Sequence, residues 1–539
     1  MIRIKSVVII LSFLLMTKVS LFSQENDALR VEIEAKTSSE KYNVVPMGEK
    51  GVLLFYESDE KDKSGNTIWE FTKYDTRFKE VWTKNFPVIK ELNFIDYYYP
   101  GDNNLYLLVA KSPDSKGNYQ VIDLNVTDGN IKSTNGKITM DASINELKVI
   151  GNNAYLIGTT LPSQGQACGQ ACFTYTCIPL ITGKVLYKTN VILLNLNLAT
   201  GISSIVKNNY EGNTFIIGTE VNAKENILTV LLKNIPNKKE SYLYRNKYDV
   251  QGELISSIKL ESKEDKEINS GRTMTINKNS EIMIGTYLTV NPKKRKNMNS
   301  AGSNSNGMFF ASFEKEEQQY IKYYDFSKFS TFYTHFKTRL FSSNETKIRK
   351  GEKTISYRLL VHDIIKRDND YVMVAEAYYP QYHTEYRTSY RNGQMVSYTV
   401  EVFDGYKYTH AIIAGFDFEG NLLWDNTFEI GDVVSYTLKE RVKVLPYDEE
   451  IVLLYSWSGN IISTIIKGNE IVGDKEMTKI ESKNADDNVK RNYDSDVSYW
   501  YDNYFISYGY QTLISEEEKK SGGKKKRTIF YFNKIGYSQ

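Results

Sequence analysis

The residues whose type and spacing best suit ligand binding are evenly spaced tyrosines with a histidine and an arginine among them: Tyr382, His383, Tyr386, Arg387, Tyr390 and Tyr398. In an extended hairpin, evenly spaced residues share one face, so the pattern predicts a row of aromatic rings. Such a row can stack on sugar rings or hold an extended peptide. The alternative is that the row packs over the body of the protein, which aromatic rows do more often.

Three cysteines, Cys168, Cys172 and Cys177, lie close together. Their spacing matches no common zinc or iron–sulfur pattern, and the closest histidine in sequence is the distant His335. In an oxidising compartment an odd count leaves at most one disulfide pair and one spare thiol. The sequence therefore predicts a local disulfide among these three candidates, with free thiols as the alternative, and we expect no metal and no cofactor.

Catalytic signatures are missing from the sequence. It contains no G-x-S-x-G, H-E-x-x-H or phosphate-loop motif, and His362 lies in an apolar run typical of a core or rim position. A glycosidase carboxylate pair leaves no local signature, so no catalytic residue is assigned. The net charge is +2, and the basic clusters at 293–296 and 519–527 are typical of solvated loop tips. We therefore expect no nucleic-acid partner.

The first 23 residues have the layout of a secretory signal peptide. Arg3 and Lys5 precede an apolar run from Val7 to Leu15, and Ser23 stands before a polar stretch that starts at Gln24. The run is too short for the ~20 residues of a membrane span, so cleavage before Gln24 is favoured over an uncleaved anchor. We expect an exported protein, periplasmic or secreted, that is not inserted in a membrane after cleavage.

The elements that would position these residues form a repeat. Each unit has a short apolar run typical of a strand buried on both faces. A second strand follows and ends in a turn rich in Asp, Asn or Gly, such as Asp249–Gly252 or Asp417–Gly420, and a further alternating strand comes after the turn. One more candidate strand precedes each apolar run. The units of four strands are 41–88, 91–140, 144–208, 212–260, 272–326, 358–430, 440–480 and 493–539.

We expect the last unit to be one strand short, because Asn533 to Gly536 is interpreted as its turn. A spare alternating strand, Ala28–Ala35, lies near the N-terminus. Pairing the two would remove both exposed edges. The sequence thus predicts an all-β fold in which residues 24–539 form a single β-propeller of about eight (seven to eight) four-stranded blades, closed by an N-terminal strand.

The segment Phe416-Asp-Phe-Glu-Gly-Asn-Leu-Leu-Trp424, with weaker echoes at 248–255 and 74–82, resembles the degenerate repeats of exported bacterial β-propeller proteins, of the quinoprotein-like and other secreted propeller class. The resemblance covers most of the chain after the leader. It implies a propeller and carries over no catalytic residue.

Insertions into a repeat often form the binding face. Three are found here, at 161–189, 327–357 and 380–409. They favour a non-enzymatic exported propeller that presents a binding surface for an unknown protein or glycan. Two alternatives stay open: a propeller-type carbohydrate-active enzyme with an acidic site in its funnel, and a structural envelope component. The sequence leaves the oligomeric state open.

Overall fold

The computed structural model describes residues 22–23, 29–35, 41–111, 117–140, 142–160, 190–207, 210–237, 240–291, 304–331, 355–391, 394–484, 486–515 and 526–537. In these ranges the chain is all-β, and its helical segments are the short 3₁₀ turns η1 (Gly48–Lys50) and η2 (Phe326–Lys328). Within the described ranges, no helix has the length and apolar character needed to cross a membrane.

The strands of these described ranges form eight antiparallel sheets. Two N-terminal strands, which join the last sheet, are β1 (Phe22–Ser23) and β2 (Arg30–Glu34). Sheet 1 comprises β3 (Asn43–Pro46), β4 (Val52–Lys61), β5 (Thr67–Tyr74) and β6 (Glu80–Val88). Sheet 2 comprises β7 (Asn93–Tyr98), β8 (Asn104–Ala110), β9 (Gly117–Asn125) and β10 (Ile131–Ile138). Sheet 3 comprises β11 (Ala142–Ile150), β12 (Asn153–Thr160), β13 (Val191–Asn197) and β14 (Ser203–Ile205). Sheet 4 comprises β15 (Asn213–Asn222), β16 (Ile227–Asn237), β17 (Glu240–Tyr248) and β18 (Leu254–Lys259).

The second half of the chain repeats this order. Sheet 5 comprises β19 (Lys266–Asn277), β20 (Ser280–Thr289), β21 (Gly307–Glu314) and β22 (Glu317–Asp325). Sheet 6 comprises β23 (Arg358–Val361), β24 (Ile365–Lys366), β25 (Tyr371–Arg391), β26 (Gln394–Phe416), β27 (Leu422–Glu429) and β28 (Val434–Ser435). Sheet 7 comprises β29 (Lys443–Tyr447), β30 (Glu450–Trp457), β31 (Asn460–Lys467) and β32 (Glu470–Lys479). Sheet 8 comprises β33 (Asp487–Tyr501), β34 (Tyr504–Ser515) and β35 (Lys526–Tyr537), to which β1 and β2 add.

The predicted turns have the expected chemistry. The Asp249 side chain accepts hydrogen bonds from the backbone N–H groups of Gln251 and Glu253, both at 2.9 Å, and Gly252 has φ +88°. A side chain at that φ is strained, which explains the glycine. Asn533 to Gly536 was wrongly interpreted as a turn, because these residues lie inside β35 and pair with β34.

The core lies between sheets rather than within one. Each apolar run is the second strand of its sheet, and its side chains alternate between two neighbours. On β4, Leu53 and Phe55 pack against sheet 2, while Val52 and Leu54 pack against sheet 8. This explains why the runs are continuously apolar.

Eight such clusters join the sheets in sequence, from sheets 1 and 2 to sheets 7 and 8, and the eighth joins sheet 8 to sheet 1. The arrangement fits a propeller-like fold. The spare N-terminal strand pairs with the last sheet: Arg30 lies opposite Asn533, and Glu34 lies opposite Ile529.

Arg30 fixes this N-terminal strand. Its guanidinium donates to the side-chain oxygens of Asn533 at 3.0 Å and Gln511 at 2.6 Å, and it forms an ion pair with Glu32 at 2.7 Å. The Tyr531 ring lies 4.3 Å from the guanidinium carbon. A buried arginine therefore links β2 to two strands of sheet 8.

Candidate functional site: a projecting aromatic hairpin

The candidate site is the hairpin of β25 and β26, which is much longer than the other strand pairs. Pairing runs from Tyr371 opposite Phe416 to Arg391 opposite Gln394. The insertion predicted at 380–409 is thus a continuous extension of two core strands. From Tyr382 onward the ribbon extends about 30 Å, at ~3.3 Å per residue.

The structure brings together three of the four predicted tyrosines. Tyr382, Tyr386 and Tyr390 follow one another at intervals of four residues on one strand, so they share a face. The prediction that Tyr398 shares this face is wrong. Tyr398 lies directly opposite Arg387, and directly opposed residues share a face. Tyr398 therefore belongs to the other face, together with Arg387 and His383.

The aromatic face is open to solvent. Tyr386 is 85% exposed and Tyr390 78% exposed, whereas Tyr382 is 46% exposed and lies 5.5 Å from the Phe403 ring, centroid to centroid. Met395, directly opposite Tyr390, is 65% exposed and was missed in the sequence, where nothing marked it as a neighbour of a tyrosine. Three rings and a thioether thus lie accessible on one face of the ribbon.

The opposite face carries a small charged cluster. His383 Nδ1 lies 2.5 Å from a carboxylate oxygen of Asp404 and its Nε2 lies 3.3 Å from Glu385. These hydrogen bonds, first that of Asp404, raise the pKa of His383. Arg387 donates to Glu385 at 2.9 and 3.1 Å and, with His383, lowers the pKa of that carboxyl. The groups are exposed and balance one another.

The base of the hairpin belongs to the core. Tyr406 is 8% and Tyr408 1% exposed, and both pack in the cluster between sheets 6 and 7. The Tyr408 hydroxyl donates to the Lys439 carbonyl oxygen at 2.7 Å. The accessible part of the insertion is therefore 382–403, not 380–409.

A second group of functional interest is a set of six carboxylates that bridge consecutive sheets, which we call the carboxylate belt. Each accepts hydrogen bonds from the neighbouring sheet or the segment leading into it. The contacts are Asp96 with Leu147 N (2.9 Å), Glu146 with Thr219 Oγ1, Glu220 with Thr273 Oγ1 (2.5 Å), Asp363 with Arg272 Nε (3.0 Å), Glu376 with Arg441 N (2.8 Å) and Asp496 with Lys439 Nζ (2.6 Å).

Some belt residues of sheets that are not neighbours interact electrostatically, although the sequence separates them widely. The charge of Asp363 in sheet 6 contributes to raising the pKa of Lys148 in sheet 3 and that of Glu220 in sheet 4. Burial, opposed by the bond from Thr273, raises the pKa of Glu220 to about 7. Burial also raises the pKa of Asp96 to about 6. The belt thus combines carboxyl groups that exchange protons near neutral pH with fixed cations.

His362 is a buried histidine at the same level. Its Nε2 lies 2.7 Å from Glu376, whose carboxylate also accepts from the backbone N–H groups of Arg441 and Val442. The arrangement links sheet 6 to the segment before β29, consistent with the core or rim position inferred from the sequence.

The cysteine candidates Cys168, Cys172 and Cys177 and the whole of 161–189 lie outside the described residues. So does 332–354, most of the insertion at 327–357. The described start of that insertion is tied to sheet 6, since Ser330 and Thr331 donate backbone N–H groups to Asp425 at 2.6 and 2.9 Å. In the part of the chain that the structure describes, no three His, Cys, Asp or Glu side chains converge as metal ligands would.

Comparison with known proteins assigns no family. No family model matches the chain, nor does any curated protein. Among solved structures, the polysaccharide lyase Uly1 is 10% identical with a TM-score of 0.37, over 94% of this chain and 100% of that chain. A prolyl endopeptidase is 11% identical with a TM-score of 0.34, over 87% of this chain and 53% of that chain. An apocarotenoid oxygenase mutant from Synechocystis is 8% identical with a TM-score of 0.31, over 52% and 60%. Likenesses this distant carry no inference about activity.

Proposed function

We propose that the protein is a β-propeller of eight blades that binds an external protein or glycan through the aromatic face of its projecting hairpin. The observation that carries the binding function is the exposure of Tyr386, Tyr390 and Met395 on one face of a ribbon. Apolar side chains gathered on a projecting surface are typical of interaction sites. Tyrosine rings with free faces stack on sugars or pack on a peptide.

The ring is supported by the order of the clusters, which returns from sheet 8 to sheet 1. It is also supported by the first strands, because contacts such as β7 with β11, β15 with β19 and β33 with β3 join consecutive sheets there. Sheets that meet at their first strands radiate from a common axis, as the blades of a propeller do.

Export is part of the proposal and rests on residues 1–23. Cleavage before Gln24 would remove β1 and keep β2, so the pairing of β2 with β35 does not depend on the leader. Sequencing of the processed N-terminus is expected to begin at Gln24. A chain that retains Met1 in the cell envelope would contradict the proposal.

The binding function is tested with a glycan array and a protein pull-down, using the protein from Gln24 onward. Tyr386→Ala and Tyr390→Ala are expected to weaken any captured ligand, by roughly 1–3 kcal/mol for each lost ring contact. Tyr398→Ala is the matched control, because it removes a tyrosine of the same hairpin from the opposite face. Equal losses in all three variants, or none in any, would show that the aromatic face is not the binding surface.

A second candidate function, cleavage of a carbohydrate, is favoured by one observation. Burial raises the pKa of Glu220 to about 7, and Glu220 interacts electrostatically with Asp363, an exposed carboxylate in an ion pair of 3.0 Å with Arg272. Two carboxyl groups whose environments differ in this way can divide acid and base roles. Release of reducing ends from a polysaccharide panel that is lost in both Glu220→Gln and Asp363→Asn would support it. Activity retained in both variants would reject it.

A further inference from the structure

The projecting part of β25 has an open outer edge. Its last pairing on that side joins Tyr378 to Arg358 of β23. Among the described residues no strand pairs with this edge from Tyr379 to Tyr390. A two-stranded ribbon is at best marginally stable in water, and an open edge presents N–H and C=O groups to a further strand. The outer edge of β25 is thus available to one more strand.

The sequence along this edge is self-complementary when two copies run antiparallel about Tyr386. Tyr386 then faces its equivalent, and Glu385 of each copy faces Arg387 of the other. Such cross-strand pairs of rings and of opposite charges stabilise a sheet. The outer positions also match in kind, as Thr384 with Thr388 and Tyr382 with Tyr390.

The charges select this register over its nearest competitors. A centre at Glu385 places that carboxylate opposite itself, and a centre at Arg387 does the same for the guanidinium. Like charges directly opposed destabilise a strand pair. The side chains are free to exchange partners, because Glu385 is 41% and Arg387 45% exposed, and their present ion pair lies within one strand.

We propose that two copies of this chain associate through antiparallel pairing of their β25 edges, centred on Tyr386. The product is a four-stranded sheet in the order β26, β25, β25, β26. Because the pairing preserves the alternation of side chains, Tyr382, Tyr386 and Tyr390 of both copies lie on one face, and Glu385 and Arg387 lie on the other. The dimer goes beyond the proposed binding function by doubling the width of the aromatic face.

The test is the dimer dissociation constant of the chain from Gln24 onward, measured by sedimentation equilibrium. Glu385→Arg and Arg387→Glu each oppose like charges at two symmetric positions, so each is expected to raise the constant roughly tenfold or more. An equimolar mixture of the two variants restores opposite charges and is expected to form a mixed dimer at wild-type concentrations. The double variant E385R/R387E is expected to dimerise like the wild type.

Glu401→Arg is the matched control, since it makes the same charge change on β26, away from the proposed edge, and is expected to leave the constant unchanged. A monomer at all concentrations would overturn the proposal. So would a dimer that both single reversals leave intact, which would assign the contact to another surface such as the β26 edge. Failure of the mixture to associate would also overturn it. Thermal unfolding of each variant verifies that the fold is kept. The dimer dissociation constant is measured without a ligand, so its outcome is independent of ligand capture by the aromatic face.

Discussion

His410 on β26 should make the protein acid-sensitive in a defined pH window. The side chain is buried, with 1% of the residue exposed, and its ring meets that of Tyr357 edge to face at 4.8 Å. Burial lowers the pKa of His410 from 6.5 to about 3. The folded protein therefore keeps the imidazole neutral, whereas the unfolded chain takes up a proton below pH 6.5. The contribution is complete above pH 6.5 and is lost as the pH falls toward 3.

The size of the effect follows from the two pKa values. Each pH unit between them costs about 1.4 kcal/mol of the free energy of unfolding. Between pH 7 and pH 5 only the range below 6.5 counts, so the loss from His410 is about 2 kcal/mol. Other groups also titrate over this range, which is why the effect is measured as a difference between two proteins.

The perturbation is His410→Phe, which keeps a ring against Tyr357 and removes the titration. Urea unfolding at pH 7, 6 and 5 gives the free energy of unfolding of each protein. The variant should gain about 2 kcal/mol on the wild type between pH 7 and 5. His383→Asn is the control, at an exposed histidine whose pKa is raised rather than lowered, and it should not gain stability on the wild type as the pH falls. Parallel curves for His410→Phe and wild type would refute the argument, because they would mean that His410 is protonated equally in both states.

Other groups give further expectations. For Glu220 the sign is opposite, because burial raises its pKa from the ordinary 4.5 to about 7 in the folded protein. Glu220→Gln should therefore gain stability on the wild type as the pH rises from 4.5 to 7, by about 1–2 kcal/mol allowing for partial exposure; thermal unfolding with no pH-dependent difference would count against it. Arg30→Ala should lower the free energy of unfolding in urea by about 3 kcal/mol, because it releases the N-terminal strand. Glu34→Ala, an exposed change on the same strand, should cost little, and equal losses in the two variants would show that Arg30 does not fix the strand. Lys233 lies 2.7 Å from Glu267, both buried, so Lys233→Ala should cost about 3–5 kcal/mol and the double variant K233M/E267L much less; additive losses would contradict this.

Most of the fold could be predicted from the sequence because its strongest signal reports burial directly. The second strand of each sheet packs on both neighbours, so runs such as Val52–Phe55 and Ile451–Leu454 are apolar throughout. Turn residues such as Asp249 and Gly252 then marked where strands end. The last unit was misjudged at Asn533 to Gly536, because residues typical of turns also occur within a strand that is paired on both sides.

The site was predicted in part, for a reason of parity. Even spacing places Tyr382, Tyr386 and Tyr390 on one face because they are on one strand. Across a turn, the shared face depends on the register, and here Arg391 pairs with Gln394, so even-numbered residues of β25 share a face with odd-numbered residues of β26. Tyr398 is therefore on the other face. The carboxylate belt could not be predicted, because the sequence does not show which side chains of separate sheets meet.

The most direct test of the account removes the projecting ribbon and nothing else. Residues 383–402 are replaced by Asn-Gly, which suits a two-residue turn between the paired Tyr382 and Phe403. The account predicts a cooperative thermal transition like that of the wild type, together with loss of the protein or glycan ligand that the wild type captures. Retained capture, or loss of cooperative unfolding, would contradict it, since the ribbon would then be either unnecessary for binding or part of the core.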